Sequence, residues 1–249
     1  PEKPEKMLFL DYEADNEDIT RLISKTTAGM NLGYCEMEYR HCSLPIAQDL
    51  EGIRNYIEEL KIGCLIIDSV SLAAGGDLNR MDVATNYIRA LRSLGPDITT
   101  ISMAHTSKDR EAKTKTIIGS VLFEAGFRSV WEQRANEGED SLDIALFHRK
   151  ANLSKRFQGI GFRITYTDTG NLVEWLDPKS VPEFLEKMSV NQQILSALKH
   201  GKLSNEQLGE RIEAKRTTIN VALFRLSKAG KIVGDPSGWG LASTTPEMM

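Results

Sequence analysis

Two short apolar runs and a third strand-like run in this chain each lead into a polar residue able to take part in acid–base or metal chemistry. Met7-Leu8-Phe9-Leu10 leads to Asp11-Tyr12-Glu13, Cys64-Leu65-Ile66-Ile67 to Asp68-Ser69, and Ile98 to Met103 to Ala104-His105. A carboxylate at the carboxyl end of a buried strand is rigid and charged, so Asp68 is suited to hold the water shell of Mg²⁺. A second carboxylate beside it, Glu13, can polarise an attacking water as a general base. His105 would add a polar group at the same edge. Each also has a plainer structural reading. Parallel strands often end in an acid, and Glu13 precedes Asp15, Asn16, Glu17 and Asp18, a composition that suits a helix N-terminus. A single His is more often structural. Three strand ends of this kind form a constellation rather than one coincidence.

A sheet is needed to bring these ends together. Met7 to Tyr12 is predicted as a buried parallel strand, because its apolar run is bounded by charge on both sides. A helix over Asn16 to Thr27 follows, and then a weak strand near Tyr34 to Tyr39. An amphipathic helix from Ile46 to Leu60 has Ile46, Leu50, Ile53, Ile57 and Leu60 at helical spacing. Cys64 to Ile67 is the next buried strand, ending at Asp68. A helix from Arg80 to Leu94 carries Val83, Tyr87, Ile88 and Leu91, and Gly95-Pro96 stops it before the strand Ile98 to Met103. Alternating strands and helices predict an α/β fold with a doubly wound, mostly parallel sheet, whose strand ends share one crevice.

Beyond this sheet, the polar stretch Thr106 to Thr116 contains Lys108, Arg110, Lys113 and Lys115 and reads as a mobile loop. Strand-like runs follow at Arg128 to Trp131, Ser141 to Phe147 and Phe162 to Tyr166. After a turn at Asp168-Thr169-Gly170-Asn171, another runs through Trp175. They are expected as hairpins that close the sheet's edge.

Asp177-Pro178 and Val181-Pro182 then punctuate the chain, and a domain boundary is expected near Glu183 to Ser189, dividing it into 1–182 and 183–249. From Val190 the pattern reads helix, helix, helix, hairpin. Ser204-Asn205-Glu206-Gln207 is a capping box opening the second helix. Ile219, Ala222, Leu223 and Leu226 line the third, and Asp235-Pro236-Ser237-Gly238 turns the hairpin. This is the pattern of a helix-turn-helix with a wing. From residue 190 onward there are 8 Lys+Arg against 5 Asp+Glu, whereas the first 189 residues hold 23 against 30. That asymmetry points to the tail as a nucleic-acid contact. Lys215, Arg216, Thr217, Thr218 and Asn220 open the third helix, where groove contacts are made, and Arg225, Lys228 and Lys231 are placed to meet phosphates. The other reading of the tail is a protein-docking winged helix.

Composition sets the outer bounds. In 249 residues, 41% are hydrophobic and 27% charged, which excludes disorder and a disulfide scaffold. A net charge of −4 excludes a uniformly basic nucleic-acid coat. Cys35, Cys42 and Cys64 lack C-x-x-C spacing and are expected as buried free thiols. No apolar run approaches the ~20 residues of a membrane span, and the polar start has no apolar core of a signal peptide, so a cytoplasmic protein is expected.

With these residues in view, Met7 to Tyr166 resembles the RecA-like ATPases, in the branch of hexameric replicative helicases and RepA-type helicase proteins. The resemblance implies Glu13 as catalytic glutamate, Asp68 as the Walker B aspartate, and His105 as a γ-phosphate sensor relaying to a DNA-binding loop at Lys108, Arg110, Lys113 and Lys115. Gly119 to Ala125 and Arg128 to Trp131 look like the segment after that loop. Phe147-His148-Arg149-Lys150-Ala151-Asn152 resembles the basic motif that reaches a neighbouring subunit's nucleotide, with Arg149 or Lys150 as the finger; a solvated basic strand end is the alternative. ATP, Mg²⁺, DNA and a homo-oligomeric ring are the implied cofactors and partners.

One departure from that pattern is large. No G-x-x-x-x-G-K-[ST] occurs; Gly201-Lys202 and Gly230-Lys231 lack the earlier glycine, so nothing in the chain can cradle phosphates in that manner. In the family that loop precedes the strand seen here at Met7 to Tyr12. The chain is therefore expected to be a truncation of a longer parent ATPase, inactive alone. The competing class is a non-enzymatic DNA-binding regulator that uses a degenerate RecA-like fold to oligomerise. Recombinase and clock-type ATPases are set aside because those folds do not usually carry such a tail.

Overall fold

The computed structural model describes residues 6–14, 16–33, 37–106, 116–181, 184, 189–212 and 214–242. The chain divides into two compact units, 1–158 with 162–175, and 159–161 with 176–249. The expected boundary at 183–189 falls in a stretch of which only Phe184 and Ser189 are described.

The first unit is α/β. Strands β1 (Lys6–Asp11), β2 (Met37–His41), β3 (Ile62–Asp68) and β4 (Thr99–Met103) form a parallel sheet in the order β2-β1-β3-β4. It is flanked by α1 (Asn16–Gly29), α2 (Leu50–Leu60), α3 (Val70–Ala73), α4 (Met81–Ser93) and α5 (Val121–Gly126). The apolar runs of β1 and β3 explain the order. Leu8, Leu10, Leu65 and Ile67 are fully buried, so these strands take the centre and meet Ile53 of α2, Tyr87 of α4 and Phe123 of α5 in one core. The buried Tyr87 hydroxyl is satisfied by Ser102 Oγ at 2.9 Å, and burial pushes its pKa up to about 12.

Helix α2 starts at Leu50, four residues later than its apolar spacing predicts. Ile46 is fully buried all the same, in a turn whose amide donates to the Ala73 carbonyl at 2.9 Å. Spacing reports burial, and a turn after Pro45 can bury Ile46 without helical backbone.

The later strands correct a second expectation. Strands β5 (Ser129–Glu137), β6 (Ser141–Ala151), β7 (Ile160–Thr167) and β8 (Gly170–Leu176) do not close the edge of the parallel sheet; they form a separate sheet in chain order. Strand β5 runs well past Trp131 because its polar residues are paired. Glu132, almost fully buried, meets Arg134 Nε at 2.5 Å and Arg149 Nε at 2.6 Å, so a charge that disfavours a strand interior is satisfied within it. Helix α1 packs its end against β8: a Cβ on Gly29 would stand 2.3 Å from the Asn171 carbonyl oxygen, an approach that only glycine permits.

The second unit carries α6 (Val190–Ala197), α7 (Asn205–Arg211), α8 (Arg216–Lys228) and an antiparallel hairpin of β9 (Ile232–Asp235) and β10 (Gly238–Leu241). Ile194, Leu208, Ile219, Leu223 and Ile232 are its core. Capping boxes open two of the helices, Ser189 with Gln192 on α6 and Ser204 with Gln207 on α7. Among the described residues no helix is long and apolar enough to cross a membrane. Cys42 and Cys64 are buried and form no disulfide among the described residues, and Cys35 lies outside them.

Candidate functional site

Strands β1, β3 and β4 are successive neighbours and all run the same way, so their carboxyl ends meet at one edge. Asp11 stands opposite Asp68, and Asp68 opposite Met103. Asp11 is 1% exposed and turns the chain beyond β1: its Oδ1 accepts the amides of Glu13 and Ala14, both at 2.9 Å, and its Oδ2 accepts the Tyr39 hydroxyl at 3.1 Å. This Asx turn aims Glu13 across the end of β3.

There Glu13 Oε1 accepts a hydrogen bond from Ser69 Oγ and lies 3.2 Å from His105 Nε2. Glu13 is 35% exposed, so the group is open to solvent. The Ser69 hydroxyl, chiefly, and then His105 hold the Glu13 carboxyl below the usual carboxylate range against the opposing effect of burial. Asp68 moves the other way. Burial, followed by the charges of Glu13 and Asp11, raises its pKa, with His105 partly offsetting. The edge therefore holds one carboxylate whose ionised form is stabilised and another whose ionised form is disfavoured.

The donor set fits Mg²⁺. Asp68 is a carboxylate whose ionised form is disfavoured by burial and by the charges of Glu13 and Asp11, so a cation beside it would be favourable; among the described residues no group of three or more His, Cys, Asp or Glu could hold a metal by itself. Mg²⁺ is commonly held by one or two carboxylates, keeping waters and substrate oxygens as its other ligands. The sequence contains no G-x-x-x-x-G-K-[ST] run.

Sequence reasoning placed Glu13, Asp68 and His105 at one edge, and the structure brings them together. It missed Asp11 and Ser69 as the groups that orient Glu13. The signal for Asp11 was present, since an Asp two residues before a turn amide is an Asx-turn pattern. Arg149 and Lys150 lie on β6, each with partners in its own unit. Arg149 holds Glu132, and Lys150 Nζ donates to the carbonyls of Glu124, Ala125 and Phe127 at 2.8–2.9 Å, fastening the end of α5.

Lys108, Arg110, Lys113 and Lys115 lie outside the described residues. On either side of them Thr106 bridges Ile117, and the Ile118 amide donates to the His105 carbonyl at 3.0 Å. In the second unit, Lys215 caps α8, and Arg216, Thr217, Thr218 and Arg225 are exposed along it while Ile219, Ala222, Leu223 and Leu226 face inward.

The fold is α/β, and the carboxyl edge of its parallel sheet brings Glu13, Asp68 and His105 together. No protein-family model and no curated protein matches the chain. Among solved structures it is similar to a KaiC-like protein from the hyperthermophilic archaeon Pyrococcus horikoshii OT3, at 16% identity and a TM-score of 0.46, over 68% of this chain and 76% of that one.

Proposed function

We propose that this chain carries the metal- and base-bearing half of a RecA-like, DNA-associated ATPase of the replicative helicase type, and that it does not hydrolyse ATP alone. The observation that carries the reading is the convergence of Glu13, Asp68 and His105 at the ends of β1, β3 and β4. When bound, Mg²⁺ would supply charge neutralisation for a transferring phosphoryl group. Asp68 would hold the ion. Glu13, ionised and oriented by Ser69 and Asp11, accepts a proton from water. His105, hydrogen-bonded to Glu13 and continuous with the segment that leads to Lys108, couples the base to the basic stretch. Arg149 and Lys150 are held within their own unit by Glu132 and by the carbonyls of Glu124, Ala125 and Phe127, and either would reach a neighbouring copy in a ring only by releasing those partners. The order α6, α7, α8 and the β9–β10 hairpin supports a winged helix, with Arg216, Thr217, Thr218 and Arg225 on its exposed face toward DNA.

The test is Mg²⁺-dependent ATP hydrolysis, with and without single-stranded DNA. It compares this chain with a version carrying a Gly-rich phosphate-binding strand–loop–helix ahead of Met7. The chain alone is expected to be inactive and the extended form active, with Glu13→Gln lowering its rate by about 10²- to 10⁴-fold. Inactivity of both forms would overturn the ATPase reading and leave a DNA-binding regulator.

A further inference from the structure

The loop between β6 and β7 carries a surface that neither the acid–base edge nor the tail uses. Phe157 is 64% exposed on it and follows Lys155 and Arg156, which are exposed and pair with no carboxylate among the described residues. Behind Phe157 stand His148 of β6 and Trp131 of β5. The three ring planes agree within 12°, with centroids 4.2 Å apart for Trp131 and His148, 5.6 Å for His148 and Phe157, and 6.3 Å for Trp131 and Phe157. The last distance is far shorter than the other two laid end to end, so the rings form an aligned cluster, not a column.

Hydrogen bonds hold this cluster in place. The Phe157 amide donates to His148 Nδ1 at 3.0 Å, which makes Nδ1 an acceptor and assigns the proton of the neutral ring to Nε2. Nε2 then donates to Ser129 Oγ at 2.9 Å, and Trp131 Nε1 donates to the same oxygen at 3.0 Å. The buried His148 thus fixes the backbone of an exposed phenylalanine, and Ser129 fixes His148 and Trp131 together. A large exposed aromatic loses apolar burial, and ordering its loop costs entropy, so its fixed presentation beside two unpaired cations matches a ligand with flat faces and negative charge.

The geometry points to a stacking platform for single-stranded nucleic acid: a base lies against Phe157, and Lys155 and Arg156 meet the adjoining phosphates. The occupant follows from charge and shape together, because a protein partner for Phe157 would not require two bare cations beside it. The site deepens the DNA-associated reading but is separate from Glu13, Asp68 and His105, and binding alone tests it without ATP hydrolysis.

The experiment is fluorescence anisotropy of labelled oligo-dT, oligo-rU and a duplex of equal length with the whole chain across a salt series. Phe157→Ala is expected to weaken single-strand binding about 5- to 150-fold, the loss of one stacked base, while Phe157→Trp retains it and duplex binding is unchanged. Lys155→Gln with Arg156→Gln is expected to lower the salt slope by about 1.4. The arms with dT and rU show whether the strand is DNA or RNA. If Phe157→Ala binds single strands like the parent while Arg216→Ala with Arg225→Ala weakens binding, the platform falls and DNA association stands. If the parent binds no strand, both fall. If Phe157→Ala alters only self-association in sedimentation, the surface joins copies of the chain and the proposal is overturned.

Discussion

Glu13 Oε1 and His105 Nε2 stand 3.2 Å apart although 92 residues separate them, and the contact passes over the carboxyl end of a strand belonging to neither. Strand β3 lies between β1 and β4, so Asp68 and Ser69 sit beneath the bridge. Ser69 joins it from below, which leaves Asp68 without a hydrogen-bonded cation among the described residues.

That vacancy of charge predicts the behaviour of Asp68→Asn. Raised above its ordinary 3.8, Asp68 contributes stability that is present below 3.8 and lost as pH rises through its folded value. Asp68→Asn is therefore expected to melt higher than the parent at pH 7, with the gain shrinking toward pH 4. Mg²⁺ should raise the parent's melting temperature and leave that of Asp68→Asn unmoved. Calorimetry across pH and Mg²⁺ concentration checks both.

Glu13 has the opposite sign. Held below its ordinary 4.5, it contributes stability that is present above 4.5 and lost as pH falls through its folded value. Ser69→Ala removes the largest single cause, so the Glu13 carboxyl should titrate closer to 4.5, and His105→Ala should move it in the same direction. Carboxyl NMR titration reads the two shifts; no upward shift in Ser69→Ala would overturn the role of the hydroxyl.

Lys150 fastens the carbonyls of Glu124, Ala125 and Phe127. Lys150→Met is expected to cost about 1.5–3 kcal/mol in urea unfolding, the range for hydrogen bonds to a charged group. Unchanged stability together with lost hydrolysis in the extended protein would instead assign Lys150 to a neighbouring copy's site.

Gly29 meets the Asn171 backbone, whereas nothing lies within 4 Å of a Cβ on Gly33. Gly29→Ala should cost about 1–3 kcal/mol through overpacking, and Gly33→Ala should stay within about 0.5 kcal/mol of the parent. Equal effects would show that the end of α1 does not pack tightly on β8.

Much of this protein follows from local pattern. Apolar runs as dense as those before Asp11 and Asp68 must be covered on both faces, which makes them central parallel strands. Parallel strands that alternate with helices place their carboxyl ends together, so Glu13, Asp68 and His105 could be grouped from their positions alone. Ser204 and Gln207 form their capping box within four residues, and such a contact needs no distant partner. Other features lay outside local pattern because they depend on long-range contacts. Ile46 is buried by a turn packed near Ala73, so its apolar spacing extends the helix in sequence but not in space. The strand-like run that stops at Trp131 in sequence continues through Glu132 because Arg134 and Arg149 enclose that charge. The hairpins make a sheet of their own because strand order is set by which edges pair, and pairing is not written in the period of any one strand. The sequence by itself determined the α/β alternation and the identity of the strand-end acids. Only the tertiary structure decided that Ser69 and Asp11 orient Glu13, and that Phe157 rests against His148 and Trp131, because each of those contacts joins side chains whose approach is set by the packing of separate elements.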